Sequence, residues 1–109
     1  MTARGVYDDL ADEFLTKPGV TVGKALQNEV LKVSGKIFAF LKDDRLVVKL
    51  PAVQVSRLIA SDRAVPFTSG GRTMREWAML ALPADGQPAW RGWMTEAHDY
   101  VSGLARTDQ

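Results

Sequence analysis

The apolar positions near the start of the chain follow a helical period. Val6, Leu10 and Phe14 recur every four residues, and acidic residues fall on the opposite face. Such a stripe is typical of an amphipathic helix packed on a core. Proline cannot continue a helix, so the Pro18-Gly19 pair ends it. The pattern therefore predicts a helix at about 4–16.

Residues 30–50 follow a different pattern, in which β-branched, aromatic and aliphatic residues form short runs. Two polar pairs, Ser34-Gly35 and Asp43-Asp44, divide these runs. Short apolar runs separated by two-residue polar turns are the strongest local signal of β-hairpins. We therefore predict three antiparallel strands joined as a meander at about 29–50.

The Asp43-Asp44 turn also predicts which residues of the meander share a face. One face is wholly aliphatic and pairs Leu41 with Leu46, Ala39 with Val48 and Ile37 with Leu50. We expect this face to lie on the helices, because an aliphatic sheet face needs a second layer to bury it.

The opposite face of the meander is mixed. It pairs Phe40 with Val47 and Phe38 with Lys49, and it places Leu31 beside Phe38. A one-residue slip in register would exchange the two faces. Because this face carries two phenylalanines, we expect it to need a cover, which would be a helix of the same chain, a second subunit or a ligand.

The remaining pattern alternates between helical and extended segments. In chain order it predicts a weak extended piece at 20–26, a helix at 51–60 opened by Pro51, an edge segment at 65–67, a loop at 68–72, a strand at 76–82 and a helix at 88–105. We therefore predict a single α+β domain over residues 1–109, with an antiparallel β-meander sheet and helices packed mainly on one face, in two layers.

Composition supports a folded domain and adds little else. Of the 109 residues, 46% are hydrophobic and 25% are charged, which is typical of a globular chain. The chain has no cysteine, which removes disulfides and thiolate metal sites. The first residues are acidic and hold no long apolar run, so we expect no signal peptide and a cytoplasmic location. No segment approaches the roughly 20 apolar residues of a membrane span.

Charge is balanced overall but uneven along the chain. The net charge of +1 argues against a dedicated nucleic-acid binder, which would usually carry a larger basic excess. Residues 17–57, however, hold eight basic residues against three acidic ones. Two interpretations remain open. The charges could simply solvate the surface, or a basic hairpin could contact phosphates through Lys32, Lys36, Lys42, Arg45 and Lys49.

The stretch Gly70-Gly71-Arg72 is a candidate contact for an anion or a small ligand. Consecutive backbone N–H groups can form an anion-binding nest, and Arg72 and Arg75 would add positive charge. Two glycines fall short of a phosphate-binding loop, however. The alternative is that they supply the positive φ of a turn.

His98 is the only histidine of the chain. Met94 and Ser102 occupy the positions one helical turn away, where a second metal ligand would lie. No serine nucleophile lies in a recognised motif. We therefore expect a boundary histidine packed against the sheet or solvent, with no catalytic residue, no metal site and no cofactor.

The tryptophans Trp77, Trp90 and Trp93 admit two interpretations. They could form an aromatic platform for a base or another planar ligand. More often, tryptophans at strand or helix spacing belong to a core or an interface. We expect Trp77 and Trp93 to be largely buried.

Six motifs follow one another along nearly the whole chain. They are Leu15-Thr-Lys-Pro-Gly19, Lys32-Val-Ser-Gly-Lys-Ile-Phe-Ala39, Arg45-Leu-Val-Val-Lys-Leu-Pro51, Pro66-Phe67, Gly70-Gly-Arg72 and Met74-Arg-Glu-Trp77. Their order resembles that of the TfoX N-terminal domain family. The related YjbR-like group, often labelled DNA-binding, fits less well because the histidine-bearing loop expected before its strand is missing.

The resemblance implies a small bacterial α+β domain linked to regulation of competence, with no established catalytic residues. In full-length members a separate helical domain follows, and we expect none in this chain. We therefore predict a non-enzymatic regulatory or interaction module that binds a protein partner or self-associates as a homodimer. The alternative is a weak nucleic-acid binder using residues 32–49, with nucleic acid the less favoured partner. A small-ligand pocket beside the Gly70-Gly71-Arg72 loop is a third possibility, and we expect no membrane association.

Overall fold

The computed structural model describes residues 2–25 and 28–107. Within them, six strands form one antiparallel sheet, and three helices pack on one of its faces. In chain order the elements are α1 (Ala3–Phe14), β1 (Val20–Ala25), β2 (Asn28–Val33), β3 (Lys36–Lys42), β4 (Arg45–Lys49), α2 (Ala52–Ala60), β5 (Val65–Ser69), β6 (Arg72–Ala81) and α3 (Gln87–Thr107). The strands lie in the order β1-β2-β3-β4-β6-β5. This two-layer arrangement confirms the predicted α+β fold.

The three predicted helices are confirmed, and each begins within one residue of its predicted start. Thr2 caps α1, because its Oγ1 accepts a hydrogen bond from the Gly5 N–H at 3.0 Å. Pro51 directly precedes α2, as expected for a residue whose φ suits a helix start. Among the described residues, no helix combines the length and the apolar character that a membrane crossing requires.

Two-residue turns join the strands of the meander as predicted. Ser34 and Gly35 between β2 and β3 have φ values of 53° and 81°, and Asp43 and Asp44 between β3 and β4 have values of 52° and 60°. Positive φ at both positions matches the twist of an antiparallel hairpin. Glycine and short polar residues tolerate this left-handed backbone best, which explains their presence here.

The meander has four strands rather than the predicted three. The segment Val20–Ala25, only a weak strand prediction because of Gly23, pairs along its length with β2. A Cβ at position 23 would lie 2.7 Å from Cε of Lys32, so the glycine makes room for that side chain. Packing against β2 therefore explains a glycine inside a strand. Leu26, at the end of the predicted segment, lies outside the described residues.

An extra residue in β3 changes the predicted faces of that strand. Leu31 pairs with Ala39, but the next residue, Lys32, pairs with Ile37, so Phe38 has no partner in β2. A bulge of this kind interrupts the alternation of side chains between the two faces. Phe38 and Ala39 both lie in the core beneath the helices, and Ile37 packs on the opposite face.

Part of the predicted face assignment is therefore wrong. Phe38 does not share a face with Lys49, Ile37 does not share one with Leu50, and Leu31 lies in the core beneath the helices. The pairs closer to the second turn are confirmed, namely Ala39 with Val48, Leu41 with Leu46 and Phe40 with Val47. The turn sets the register locally, and its influence ends at the bulge.

The opposite side of the sheet, which we name the helix-free face, carries its own small core. Its five buried residues are Val30, Phe40, Val47, Phe67 and Met79. The Phe40 ring centre lies 5.7 Å from that of Phe67 and 5.8 Å from that of Trp77. Nζ of Lys42 lies 5.4 Å from the centre of the Phe67 ring, and Nζ of Lys49 lies 5.8 Å from that of Trp77. The expectation of a helix, a subunit or a ligand as cover is wrong for these five residues, because the strands' own aromatic rings and lysine stems bury them.

The hairpin of β5 and β6 has a tighter turn than the sequence indicates. Gly70 and Gly71 have φ values of 59° and 78°, so the predicted loop at 68–72 is a two-residue turn. Strand β6 therefore begins at Arg72 rather than at the predicted position 76. Strand β5, which contains Pro66, lies at the edge of the sheet as predicted.

The same hairpin contains a bulge in β6. Pro66 pairs with Ala78, but the next residue, Phe67, pairs with Met74. Residues 75–77 of β6 therefore have no partner in β5. Residues of this hairpin and of α2 line a common open groove.

Candidate functional site

An open apolar groove lies between α2 and the β5–β6 hairpin, with a volume of about 550 Å³. We name it the α2 groove and define it by seven of its lining residues: Val53, Arg57, Ile59, Pro66, Thr73, Met74 and Arg75. Ligand pockets in proteins typically have volumes of about 300–1,000 Å³. The groove is therefore large enough to take several side chains of another molecule.

Two large apolar side chains of the groove face solvent. Val55 and Leu58 lie on the opposite side of α2 and are buried against the sheet. Val53 therefore faces solvent, and 64% of its surface is exposed. Met74, on β6, is exposed to 36%. A single exposed apolar residue is ordinary, but neighbouring ones around a concavity are not.

The charge of the groove has one sign. Among the described residues, Arg57 on α2 and Arg75 on β6 are the only charged ones in its lining. Neither guanidinium forms an ion pair with a described residue, and both side chains are exposed. The groove is therefore an apolar surface with a positively charged rim.

The sequence prediction missed this groove apart from Arg75. A signal for it was present in Val53, which lies off the stripe formed by Val55, Leu58 and Ile59. An apolar residue on the outward side of a short helix is a weak signal when read alone. The second wall comes from β6, and only the tertiary pairing brings it opposite α2.

The structure places the four residues of the predicted anion site on the β5–β6 hairpin. Gly70 and Gly71 form the hairpin turn, and a Cβ at either position would meet nothing within 4 Å, so the backbone conformation accounts for both glycines. Arg72, the first residue of β6, and Arg75 line a depression together with Lys49 and Glu76. Arg75 also belongs to the α2 groove.

The structure separates one of the predicted phosphate-contacting residues, Lys36, from the other three. Lys42, Arg45 and Lys49 lie on the helix-free face, where Lys42 pairs with Arg45. Lys36 pairs with Val33, a residue of the core beneath the helices, and cross-strand partners share a face. Lys36 therefore lies on the other side of the sheet from the rest.

Lys32 completes the basic set of the helix-free face. It pairs with Ile37 on that face, and its stem crosses Gly23 of β1. Outside the bulge of β6, no described strand residue whose side chain lies on this face is acidic. Glu76, in the bulge of β6, approaches at one edge, with Oε1 3.9 Å from Nζ of Lys49.

His98 packs between aromatic rings at the boundary of the core, as predicted. Its side chain is exposed to 16%, and its ring centre lies 5.5 Å from that of Phe38 and 6.3 Å from that of Phe14. Nδ1 lies 3.0 Å from Oδ1 of Asp99, and Nε2 is buried without a partner among the described residues. Within the same residues, no group of three or more histidine or acidic side chains is arranged to hold a metal ion.

The three tryptophans do not form a common platform. Trp90 is fully buried beneath the helices, and its Nε1 donates a hydrogen bond to the Ala81 carbonyl at 3.2 Å. Trp93 is half-buried on the same side, and Trp77 is half-buried on the helix-free face. The platform interpretation is therefore wrong. Trp77 and Trp93, expected to be largely buried, are partly buried, and Trp90 is the fully buried tryptophan.

The groups with shifted pKa values lie outside the α2 groove. Hydrogen bonds from Arg91 lower the pKa of Glu13, with Nε 2.8 Å from Oε2 and Nη2 3.1 Å from Oε1. This pair joins α1 to α3. Burial raises the pKa of the Tyr7 and Tyr100 phenols above the ordinary value. The two phenol shifts therefore follow from burial, and the Glu13 shift follows from the ion pair with Arg91.

No protein-family model, curated protein or solved structure matches this chain. The resemblance to the TfoX N-terminal domain family therefore stays a prediction that rests on the order of the motifs.

Proposed function

We propose that this chain is a non-enzymatic interaction module of the bacterial cytoplasm that binds a protein partner in the α2 groove. One observation carries the proposal: Val53 and Met74 remain exposed to 64% and 36% around the same groove of about 550 Å³. Apolar side chains exposed together mark surfaces that another molecule covers. A regulatory role would follow from engaging and releasing that partner.

The chemistry of the groove suits binding better than catalysis. Its titratable side chains are the two arginines, Arg57 and Arg75. A guanidinium stays protonated at all physiological pH values, so it can neither accept nor supply a proton in a reaction cycle. It can, however, select the charge of a partner.

A photo-crosslinking amino acid at position 53 tests the proposal. In cells that express the full chain, we expect a discrete adduct with a partner protein, because position 53 would lie inside the contact. Met74→Glu should remove the adduct, since the contact would bury an unpaired charge. The adducts are measured by gel shift and mass spectrometry.

Val22 provides a matched control position. It is also an exposed valine, at 51%, but it lies on β1, outside the α2 groove. An adduct that forms equally well from position 22, or one that survives Met74→Glu, would contradict the assignment of the groove.

Weak nucleic-acid binding is the second candidate function, and one observation favours it. Lys32, Lys42, Arg45 and Lys49 share the helix-free face, and the carboxylates of α1 lie in the opposite layer. This separation of charge would orient the basic face toward a polyanion. The net charge of only +1 keeps the expected affinity low.

A fluorescence-anisotropy titration with labelled duplex DNA tests this candidate. At about 150 mM salt we expect micromolar or weaker affinity, and about four phosphate contacts predict a log–log salt slope of about −3.6. The double variant Lys32→Glu with Arg45→Glu should abolish binding. Lys36→Glu is the matched control, because Lys36 lies on the other face.

Lys42 and Lys49 are left unchanged in this design, because their ammonium groups lie over the aromatic rings of Phe67 and Trp77. Changing them would alter stability as well as charge. Tight sequence-selective binding, or a loss with Lys36→Glu equal to that of the double variant, would rule out the weak basic-face mode.

A further inference from the structure

We infer that the occupant of the α2 groove is an acidic amphipathic helix of a partner protein, an inference that rests on the proposed function. The groove is lined by exposed apolar side chains, and the charged residues at its rim, Arg57 and Arg75, are both positive. A partner segment must therefore present apolar side chains to the floor and carboxylates to the rim. An amphipathic helix with acidic flanks has this arrangement.

The sign of the rim selects acidic side chains. Arg57 and Arg75 lie on the two elements that form the groove, α2 and β6, and neither is paired with a carboxylate of the described residues. Opposite charges across an interface favour the correct partner, and like charges reject others. Arginine also binds carboxylates through two parallel hydrogen bonds, which adds directional specificity.

The apolar floor selects side chains rather than a phosphate backbone. Val53, Ile59, Pro66 and Met74 offer no hydrogen-bond donors from their side chains. A polyanion would therefore gain polar contacts only from the two arginines and from the hydroxyls of Ser56 and Thr73. Methionine has three rotatable side-chain bonds and adapts to partners of different shape. This lining matches a row of leucine, isoleucine or phenylalanine side chains.

A helix fits the groove better than an added strand. Strand β5, which borders the groove, has only five residues and contains Pro66, which has no N–H group. Short edge strands with proline resist strand addition. The partner must therefore bind mainly through side chains, as a helix in a groove does.

A second copy of this chain fits the groove poorly. In a two-fold dimer the same patch meets itself, so the Arg57 and Arg75 side chains of both copies would be brought into one contact. Within the part of the chain that the structure describes, the lining supplies no carboxylate to offset them. The charge pattern therefore favours a different, acidic protein over the homodimer considered from the sequence.

Two synthetic peptides test the inference with the full chain. Both share one helical apolar pattern over about four turns. One carries glutamate at the flanking positions and the other carries lysine. Each is titrated into the isotope-labelled protein and followed by amide chemical shifts. We expect the acidic peptide to shift the amides of Val53, Thr73 and Met74 and to bind up to about tenfold more tightly than the basic one.

Charge reversal of the rim provides the matched variant. Arg57→Glu with Arg75→Glu should reverse the preference, so that the lysine peptide binds more tightly. Arg63→Glu changes another exposed arginine, which lies outside the groove, and should leave the preference unchanged. Melting curves confirm that each variant folds.

Each other outcome overturns the inference. Equal affinity for the two peptides would remove the charge selection, and shifts confined to another surface would remove the groove. The absence of shifts at about millimolar peptide would exclude this occupant. If the amide chemical shifts of the groove residues changed when the protein alone was diluted, the occupant would be a second copy of this chain. If position 53 still forms its partner adduct in cells, the proposed function stands although the acidic helix fails.

Discussion

Replacing Trp90 with alanine should lower the free energy of unfolding by about 3–5 kcal/mol. Trp90 is fully buried beneath the helices, and its indole fills the space between α3 and the end of β6. The variant loses the transfer free energy of the ring and leaves a cavity. It also leaves the Ala81 carbonyl without its donor. Urea denaturation followed by far-ultraviolet circular dichroism measures the loss.

Two further variants separate the causes of that loss. Trp90→Phe keeps most of the apolar volume but removes the hydrogen bond to Ala81, so its cost should be smaller, about 1–3 kcal/mol. Trp93→Ala should also cost less than Trp90→Ala, because the Trp93 side chain is only half-buried. If Trp93→Ala proved the more damaging change, Trp90 would not be the main anchor of α3.

Replacing Phe40 with alanine should cost about 3–5 kcal/mol, although no helix covers its side of the sheet. The Phe40 side chain is exposed to only 2%, and its ring meets those of Phe67 and Trp77. Tilted and edge-to-face contacts between such rings add stabilisation beyond burial itself. Chemical denaturation measures the loss, as for Trp90.

Phe40→Leu and Val22→Ala provide the controls. Leucine retains part of the apolar volume and should cost less than alanine. Val22 lies exposed on β1, so truncating it should change stability by no more than about 0.5 kcal/mol. A loss below about 1 kcal/mol for Phe40→Ala would show that the helix-free cluster is open in solution and contributes little to the fold.

The two surfaces of this chain support different kinds of contact. The α2 groove combines an apolar floor with two arginines, and the helix-free face combines four basic residues with rings that are already buried. An apolar floor that stays exposed gains most from a partner that covers it. Buried rings with charged stems gain little from further burial. For this reason we propose that a protein partner binds in the α2 groove and that a polyanion binds only weakly, on the helix-free face.

Local patterns in the sequence determined the elements and the fold class. Helical spacing and Pro18 bounded α1, and two short polar turns set the hairpins of the meander. The register near Asp43-Asp44 was also predictable, since a two-residue turn fixes which neighbouring residues face each other. These features depend on residues that are close in sequence, so a single chain suffices to predict them.

The helix-free face and the α2 groove depended on the tertiary structure. Because Phe38 has no partner in β2, Phe38 lies on the helix side of the sheet and Ile37 on the helix-free face, the reverse of the prediction. The same shift places Lys36 and Lys32 on opposite sides of the sheet. The alternation of apolar and polar residues does not mark this bulge, which appears only in the pairing of β2 with β3. Pairing of β4 with β6 likewise decided where the β5–β6 hairpin lies relative to α2. The sequence by itself determined what each segment is, and long-range packing decided which side chains are left together at the surface.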